Sequence, residues 1–121
     1  MYYLIKVKMS IYNPYNVDDE IKTKKKVYYP YSASDGKHKY YIITKTGRKV
    51  SFGAIGYDDY TKHKDPERKQ RYIDRHKNNE DWNKSGIDTA GFWSRWFLWG
   101  EPTKKESYKK IKEKLKSWGI I

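Results

Sequence analysis

The 121 residues predict a single α+β domain, an N-terminal antiparallel β-sheet followed by three helices. Three observations carry this. The first half holds alternating and β-branched or aromatic runs broken by turn residues, the period shifts to steps of three and four after residue 65, and the later segments open on helix-capping residues. The length suits one domain and little more, and no repeat or linker divides it.

Taken in order, residues 4–11 alternate, with Ile5, Val7, Met9 and Ile11 on one side and Lys6, Lys8 and Ser10 on the other, which predicts a half-buried strand ended by Asn13-Pro14. Residues 12–20 read as a loop with an acidic tip at Asp18, Asp19 and Glu20. Residues 21–31 read as extended, and Pro30 confines that segment to an edge or an end. The strongest β signal lies at about 39–55, where two β-rich runs flank Lys45-Thr46-Gly47-Arg48 and predict a hairpin with Gly47 in a positive-φ turn position. Gly53 and Gly56 suit a strand end or bulge.

Asp65-Pro66-Glu67 then supplies an N-cap, a proline at the first helical position and a first-turn carboxylate, predicting a helix over 66–78. Lys69, Tyr72, Ile73 and His76 would form its packed side, and Arg68, Arg71, Arg75 and Lys77 its basic side. Residues 79–90 are polar and irregular, with Trp82 as an anchor. Thr89 is placed to cap a short helix over 91–99 in which Phe92, Trp93, Trp96, Phe97, Leu98 and Trp99 are large and apolar. Such a segment is either core or a docking surface, and both readings stay open for Phe92, Trp93, Trp96 and Trp99. Thr103 and Glu106 form a capping box for the last helix, 103–118, whose Tyr108, Ile111, Leu115 and Trp118 recur at helical spacing. Lys104, Lys105, Lys109, Lys110, Lys112, Lys114 and Lys116 crowd its outer side.

Composition narrows the function classes. Lys and Arg total 27 against 15 Asp and Glu, a formal charge of +12, and the mean hydropathy is −1.14. That balance alone would suggest disorder, but 13 Tyr, 5 Trp and 3 Phe provide an aromatic core that disordered chains lack. The absence of cysteine excludes disulfides, thiolate metal sites and a thiol nucleophile. No apolar run is long enough to span a bilayer, and the charged start argues against secretion.

Charge is spread along the chain: residues 1–60 carry 11 basic and 6 acidic side chains, and residues 61–121 carry 16 and 9. A fold basic throughout seeks an acidic partner. Of the basic residues 22 are Lys and 5 are Arg, which favours diffuse attraction over base readout. Lys, Asn, Ile and Tyr all have AT-rich codons, so part of the Lys excess reflects the gene.

Chemistry-bearing constellations are sparse. His38, His63 and His76 lack metal-ligand spacing, and no metal or cofactor is expected. Asp58, Asp59, Asp65 and Glu67 could be arranged as in a metal-dependent nuclease, but helix capping already explains Asp65 and Glu67, so no catalytic residue is assigned. Lysines interleaved with aromatics in Tyr28-Tyr29-Pro30-Tyr31 and Lys39-Tyr40-Tyr41 suit stacking on unpaired bases, or a core that simply turns half of these rings inward.

The elements Phe52-Gly53, Tyr57 and Tyr60 with Thr61, His63, Lys64 and Asp65, and Ala90-Gly91-Phe92-Trp93-Ser94 with Trp96, spread over about residues 50–103, resemble a small domain family encoded by nucleocytoplasmic large DNA viruses. The family carries no assigned activity; the resemblance implies a viral protein of the virion or host cytoplasm. Residues 1–35 lie outside it.

The resulting expectation is a non-enzymatic virion component, a minor capsid or core protein, docking other virion proteins through its aromatic cluster and Lys-rich faces. The alternative is a protein that coats or condenses DNA or RNA without strong sequence specificity. In either case the contact residues would be Arg68, Arg71, Arg75, Lys77, Lys104, Lys105, Lys109, Lys110, Lys112 and Lys116.

Overall fold

A computed structural model describes residues 25–121. The expected strand at 4–11, the loop at 12–20 and the start of the segment 21–31 lie outside the described residues. Strands β1 (Tyr31–Ser32), β2 (His38–Ile43) and β3 (Lys49–Ala54) form an antiparallel sheet in the order β1-β2-β3. Helices α1 (Tyr60–His63), α2 (Pro66–His76), α3 (Ala90–Trp93, continuing as π-helix over Ser94–Leu98) and α4 (Lys104–Ser117) follow. The fold is therefore the expected α+β arrangement; among the described residues it has one short α-helix, α1, and one 3-10 turn, Lys84–Gly86, beyond what the sequence predicts.

The hairpin forms where expected because its turn is closed three ways. Gly47 sits at φ 87°. Its N–H donates to the Thr44 carbonyl at 2.9 Å, Thr44 N–H donates to Arg48 O at 2.8 Å, and the fully buried Thr44 hydroxyl accepts from Arg48 N–H at 3.0 Å. The register pairs Tyr40 with Phe52 and Ile42 with Val50, so the core face carries these four while Tyr41 points to the other face. Pro30 immediately precedes the edge strand β1, as its missing N–H requires.

The expected extended run at 21–31 is corrected at Tyr28, which lies in a turn at φ 58°. Packing overrides the backbone preference: Tyr28 is buried, stacks on Trp93, donates its hydroxyl to Asp88 at 2.7 Å and its N–H to Ile43 O at 2.9 Å.

The segment 91–99 is also corrected. Its first turn is α, with Thr89 accepting from Phe92 N–H at 3.3 Å, but Trp99 N–H reaches Ser94 O at 3.0 Å, a five-residue step. An α-helix would place Trp96 beneath Phe92. The π register instead buries the pairs Phe92 and Phe97, and Trp93 and Leu98, each five apart, and leaves Trp96 and Trp99 half-buried. The segment ends at Gly100, where any Cβ would lie 2.2 Å from the Trp96 carbonyl oxygen.

The core that results joins Ile42, Val50 and Phe52 of the sheet to Phe92, Trp93, Phe97 and Leu98 of α3 and Ile111 and Leu115 of α4. α3 lies against β3, and α4 packs on the π-helical half of α3. Docking is thereby excluded for Phe92 and Trp93, which are 0% exposed. Trp96 donates to the Trp82 carbonyl at 3.0 Å beneath the Arg95 and Lys114 cations, and Trp99 stacks on Tyr72 with centroids 4.4 Å apart.

The extra helix α1 owes its start to Asp59, whose carboxylate accepts from Thr61 N–H at 2.9 Å and pairs with the Lys39 ammonium at 2.7 Å. Burial alone would raise the Asp59 pKa; the Lys39 and Thr61 hydrogen bonds outweigh it and hold the group below its ordinary value. A lowered folded-state pKa stabilises the protein above the unfolded value of about 4 and loses that contribution as pH falls toward the folded value. Asp59→Asn is therefore expected to cost about 1.5–3 kcal/mol at pH 7 and progressively less in acid. Urea unfolding of both proteins at neutral and acidic pH checks this; a difference that does not shrink in acid would contradict it.

Candidate nucleic-acid interface

Helix α4 gathers most of the candidate cations because of its cap and its spacing. Thr103 Oγ1 accepts from Glu106 N–H at 3.1 Å and contacts the Glu106 carboxylate at 3.1 Å, so the cap is made, although the carboxylate meets the hydroxyl rather than the backbone as a full capping box would. Ile111 and Leu115 anchor the inner side. Lys105, Lys109, Lys112 and Lys116, at steps of four, three and four, form an exposed stripe with Lys104 and Lys110 beside it.

Between this helix and the β1 edge runs a groove of about 430 Å³. Its walls and floor are Tyr29, Pro30, Phe97 and Tyr108; its rim is Lys104, Lys105, Lys109 and Lys112. Among the described residues no carboxylate lines it. The candidates Lys110 and Lys116 lie outside the groove on the same helix.

The groove opens onto a succession of phenol rings. Tyr108 meets Tyr29 edge-on at 5.1 Å, Tyr29 meets Tyr31 at 4.9 Å, and Tyr31 lies over its cross-strand partner Tyr41 at 5.7 Å. Lysines accompany each ring: Lys112 over Tyr108 at 5.2 Å, Lys26 over Tyr29 at 5.5 Å, Lys25 over Tyr31 at 5.2 Å and Lys49 over Tyr41 at 4.5 Å. Such pairs are worth about 0.5–1 kcal/mol each at exposed sites, little enough for the ammonium to leave when a better anion arrives. Burial, and then the neighbouring phenols of Tyr29 and Tyr31, raise the Tyr108 pKa. Its hydroxyl therefore stays neutral and able to donate.

The aromatic runs singled out in the sequence divide accordingly. Tyr29 and Tyr31 are half-buried, Tyr28 and Tyr41 are buried, and Tyr40 packs on Phe52 and Phe97.

The basic side of α2 goes elsewhere. Arg68 and Arg75 line a separate cleft of about 540 Å³ that shares no lining residue with the groove. Asp58, Asp59 and Glu80 also line it, so its charge is mixed. Arg71 is exposed, and Lys77 makes an exposed 3.7 Å pair with Asp74. The structure thus separates the two sets of candidate cations: both clefts have aromatic lining, Tyr57, Tyr72 and Trp99 in the α2 cleft, but that cleft mixes carboxylates with its arginines, whereas the described lining of the α4 groove carries lysines alone as its charged groups.

Asp65 and the three histidines each have a local partner. Asp65 caps α2, accepting from Glu67 N–H at 2.9 Å; His38 contacts Asp35, His63 accepts from Asp65 N–H, and His76 contacts Glu80. Among the described residues no three of His, Cys, Asp or Glu are grouped to hold a metal ion, and no helix is long and apolar enough to cross a membrane.

Sequence reasoning missed Phe97 and Tyr108 as groove residues. The signal for Tyr108 was present, since it sits four residues before Lys112 and three after Lys105, inside the lysine stripe rather than opposite it.

A family model described as a family of unknown function (DUF5754) matches residues 31–76, the stretch from β1 through α2. No curated protein and no solved structure matches the chain. The α4 wall of the groove lies beyond the matched stretch.

Proposed function

We propose that the protein is a non-enzymatic nucleic-acid binder that engages the phosphate backbone without strong sequence specificity. The carrying observation is the groove with four lysines on its rim, phenol rings on its floor and, among the described residues, no carboxylate in its lining. Lysines supply point charges for phosphates and little base readout, which agrees with the Lys excess over Arg. The reading as a virion component docking through its aromatic cluster keeps only the half-buried Trp96 and Trp99 of that cluster, since Phe92 and Trp93 are fully buried. What remains of it, from the family resemblance, is a place in the virion or host cytoplasm, with basic faces against nucleic acid or acidic virion proteins.

Salt titration tests the proposal. Four phosphates neutralised on a single strand release counterions with a slope of about −2.8 in log K against log salt. Fluorescence anisotropy with a labelled oligonucleotide should show binding at low ionic strength and a slope near that value. Absence of binding at low salt would sink the proposal, and a slope near zero would show that the lysines do not meet phosphate.

A further inference from the structure

We infer that the ligand of the groove is a single-stranded segment of nucleic acid, its bases laid on the phenol rings of Tyr108, Tyr29 and Tyr31 and its phosphates held by the accompanying lysines. This rests on the nucleic-acid reading above and adds the strand state and the path.

Three observations support it. The floor of the groove is aromatic and concave, formed by Tyr29, Pro30, Phe97 and Tyr108. A duplex keeps its base faces stacked inside and offers phosphate ridges outside, so it can meet the lysine rim but leaves the rings without a partner. An unpaired strand has free base faces, and every base has one, so ring stacking is tolerant of sequence.

The spacing is the second observation. The centroids of Tyr108 and Tyr29 and of Tyr29 and Tyr31 stand 5.1 and 4.9 Å apart, rings in contact with no room for a base between them, so each base must lie on the outward face of a ring. Bases placed one to a ring in this way are not stacked on one another, which an unpaired strand permits. The rings also change inclination, 82° between Tyr29 and Tyr108 and 59° between Tyr29 and Tyr31, so each offers its own surface and a strand would turn round the β1 edge as it passes.

The third is the pairing of each ring with an ammonium. Lys112, Lys26 and Lys25 lie over Tyr108, Tyr29 and Tyr31 at 5.2 to 5.5 Å. A base taking the ring face displaces the ammonium by the length of its flexible stem, toward the phosphate of that nucleotide. Ring and cation then act as two halves of one receptor, repeated along the path.

The test compares a fluorescein-labelled oligothymidylate of about 15 nucleotides with a mixed-sequence duplex of about 15 base pairs at equal salt. Single-strand affinity is expected to exceed duplex affinity by about tenfold or more. Tyr29→Leu with Tyr108→Leu should lose about 5- to 100-fold on the single strand and less than about twofold on the duplex. Tyr29→Phe with Tyr108→Phe, which keeps the rings, should retain binding.

Because Tyr108 is half-buried and its loss could disturb folding, photo-cross-linking of the wild-type protein to a strand containing 5-iododeoxyuridine gives an independent readout. Cross-links should map by mass spectrometry to Tyr29, Tyr31 or Tyr108. Duplex affinity equal to or above that of the single strand, or cross-links confined to other residues, would overturn the inference while leaving the nucleic-acid reading in place. Failure to bind either probe at low salt would overturn both.

Discussion

A variant with Lys104, Lys105, Lys109 and Lys112 all changed to Gln is expected to bind a single strand roughly 10²- to 10³-fold more weakly than wild type at about 0.1 M salt. The figure follows from four lost phosphate contacts, each contributing about 0.7 to the salt slope. The matched control is Arg68, Arg71, Arg75 and Lys77 changed together to Gln on α2, which removes the same charge from a cleft that also holds Asp58, Asp59 and Glu80 and from open surface. Diffuse charge acts through the Debye atmosphere and is largely screened at this salt, so the control should lose less than about tenfold. All eight side chains are exposed, and thermal melts should confirm that both variants fold. Equal losses in the two variants would show that net charge, not the groove, governs binding.

Trp93→Ala is expected to destabilise the protein by about 3–5 kcal/mol, a large part of the roughly 5–15 kcal/mol that holds a typical domain together. Trp93 is 0% exposed, stacks on Tyr28 and lies against Phe52 and Phe92. Its indole N–H donates to the Ile87 carbonyl at 2.8 Å, so truncation leaves a cavity and an unpaired acceptor together. Trp93→Phe keeps much of the volume and should cost less. Urea denaturation measures both. A loss below about 1.5 kcal/mol for the alanine variant would contradict the core assignment and return this side chain to candidacy as a docking residue.

Elements marked by local chemistry were legible in the sequence. Gly47 between two β-rich runs, Asp65 before Pro66, and Thr103 three residues before Glu106 each fix the backbone through groups close in the chain, and each element starts or turns where those residues stand. Tertiary contacts decided the rest. Tyr28 adopts a left-handed backbone because Trp93, Ile43 and Asp88 hold it from a distance. The π register of 94–98 depends on which aromatic rings the sheet and α4 accept, information that helical periodicity does not contain. α1 is only four residues long, too short for a periodic signal, although Asp59 two residues before Thr61 is a recognisable cap.

The candidate site was half legible for the same reason. Its lysines form a stripe on one helix and can be counted from the spacing. Its floor joins Tyr29 and Pro30 to Phe97 and Tyr108, residues that meet only through the packing of α4 on α3 and of the β1 edge on α4. Arg68 and Arg75 stood equal to the α4 lysines in the sequence; their carboxylate neighbours became visible only in three dimensions.

The core bears on how the chain is made. The sheet contributes Ile42, Val50 and Phe52 to it, and the residues that cover them belong to α3 and α4, which the ribosome delivers later. During synthesis the hairpin can close locally at Gly47, yet the α3 residues that pack on its apolar face arrive only when Phe92 to Leu98 emerge, and the α4 residues only with Ile111 and Leu115. A nascent chain whose emerged part stops short of α3 therefore presents the hairpin without that cover, a target for chaperones or for a neighbouring nascent copy.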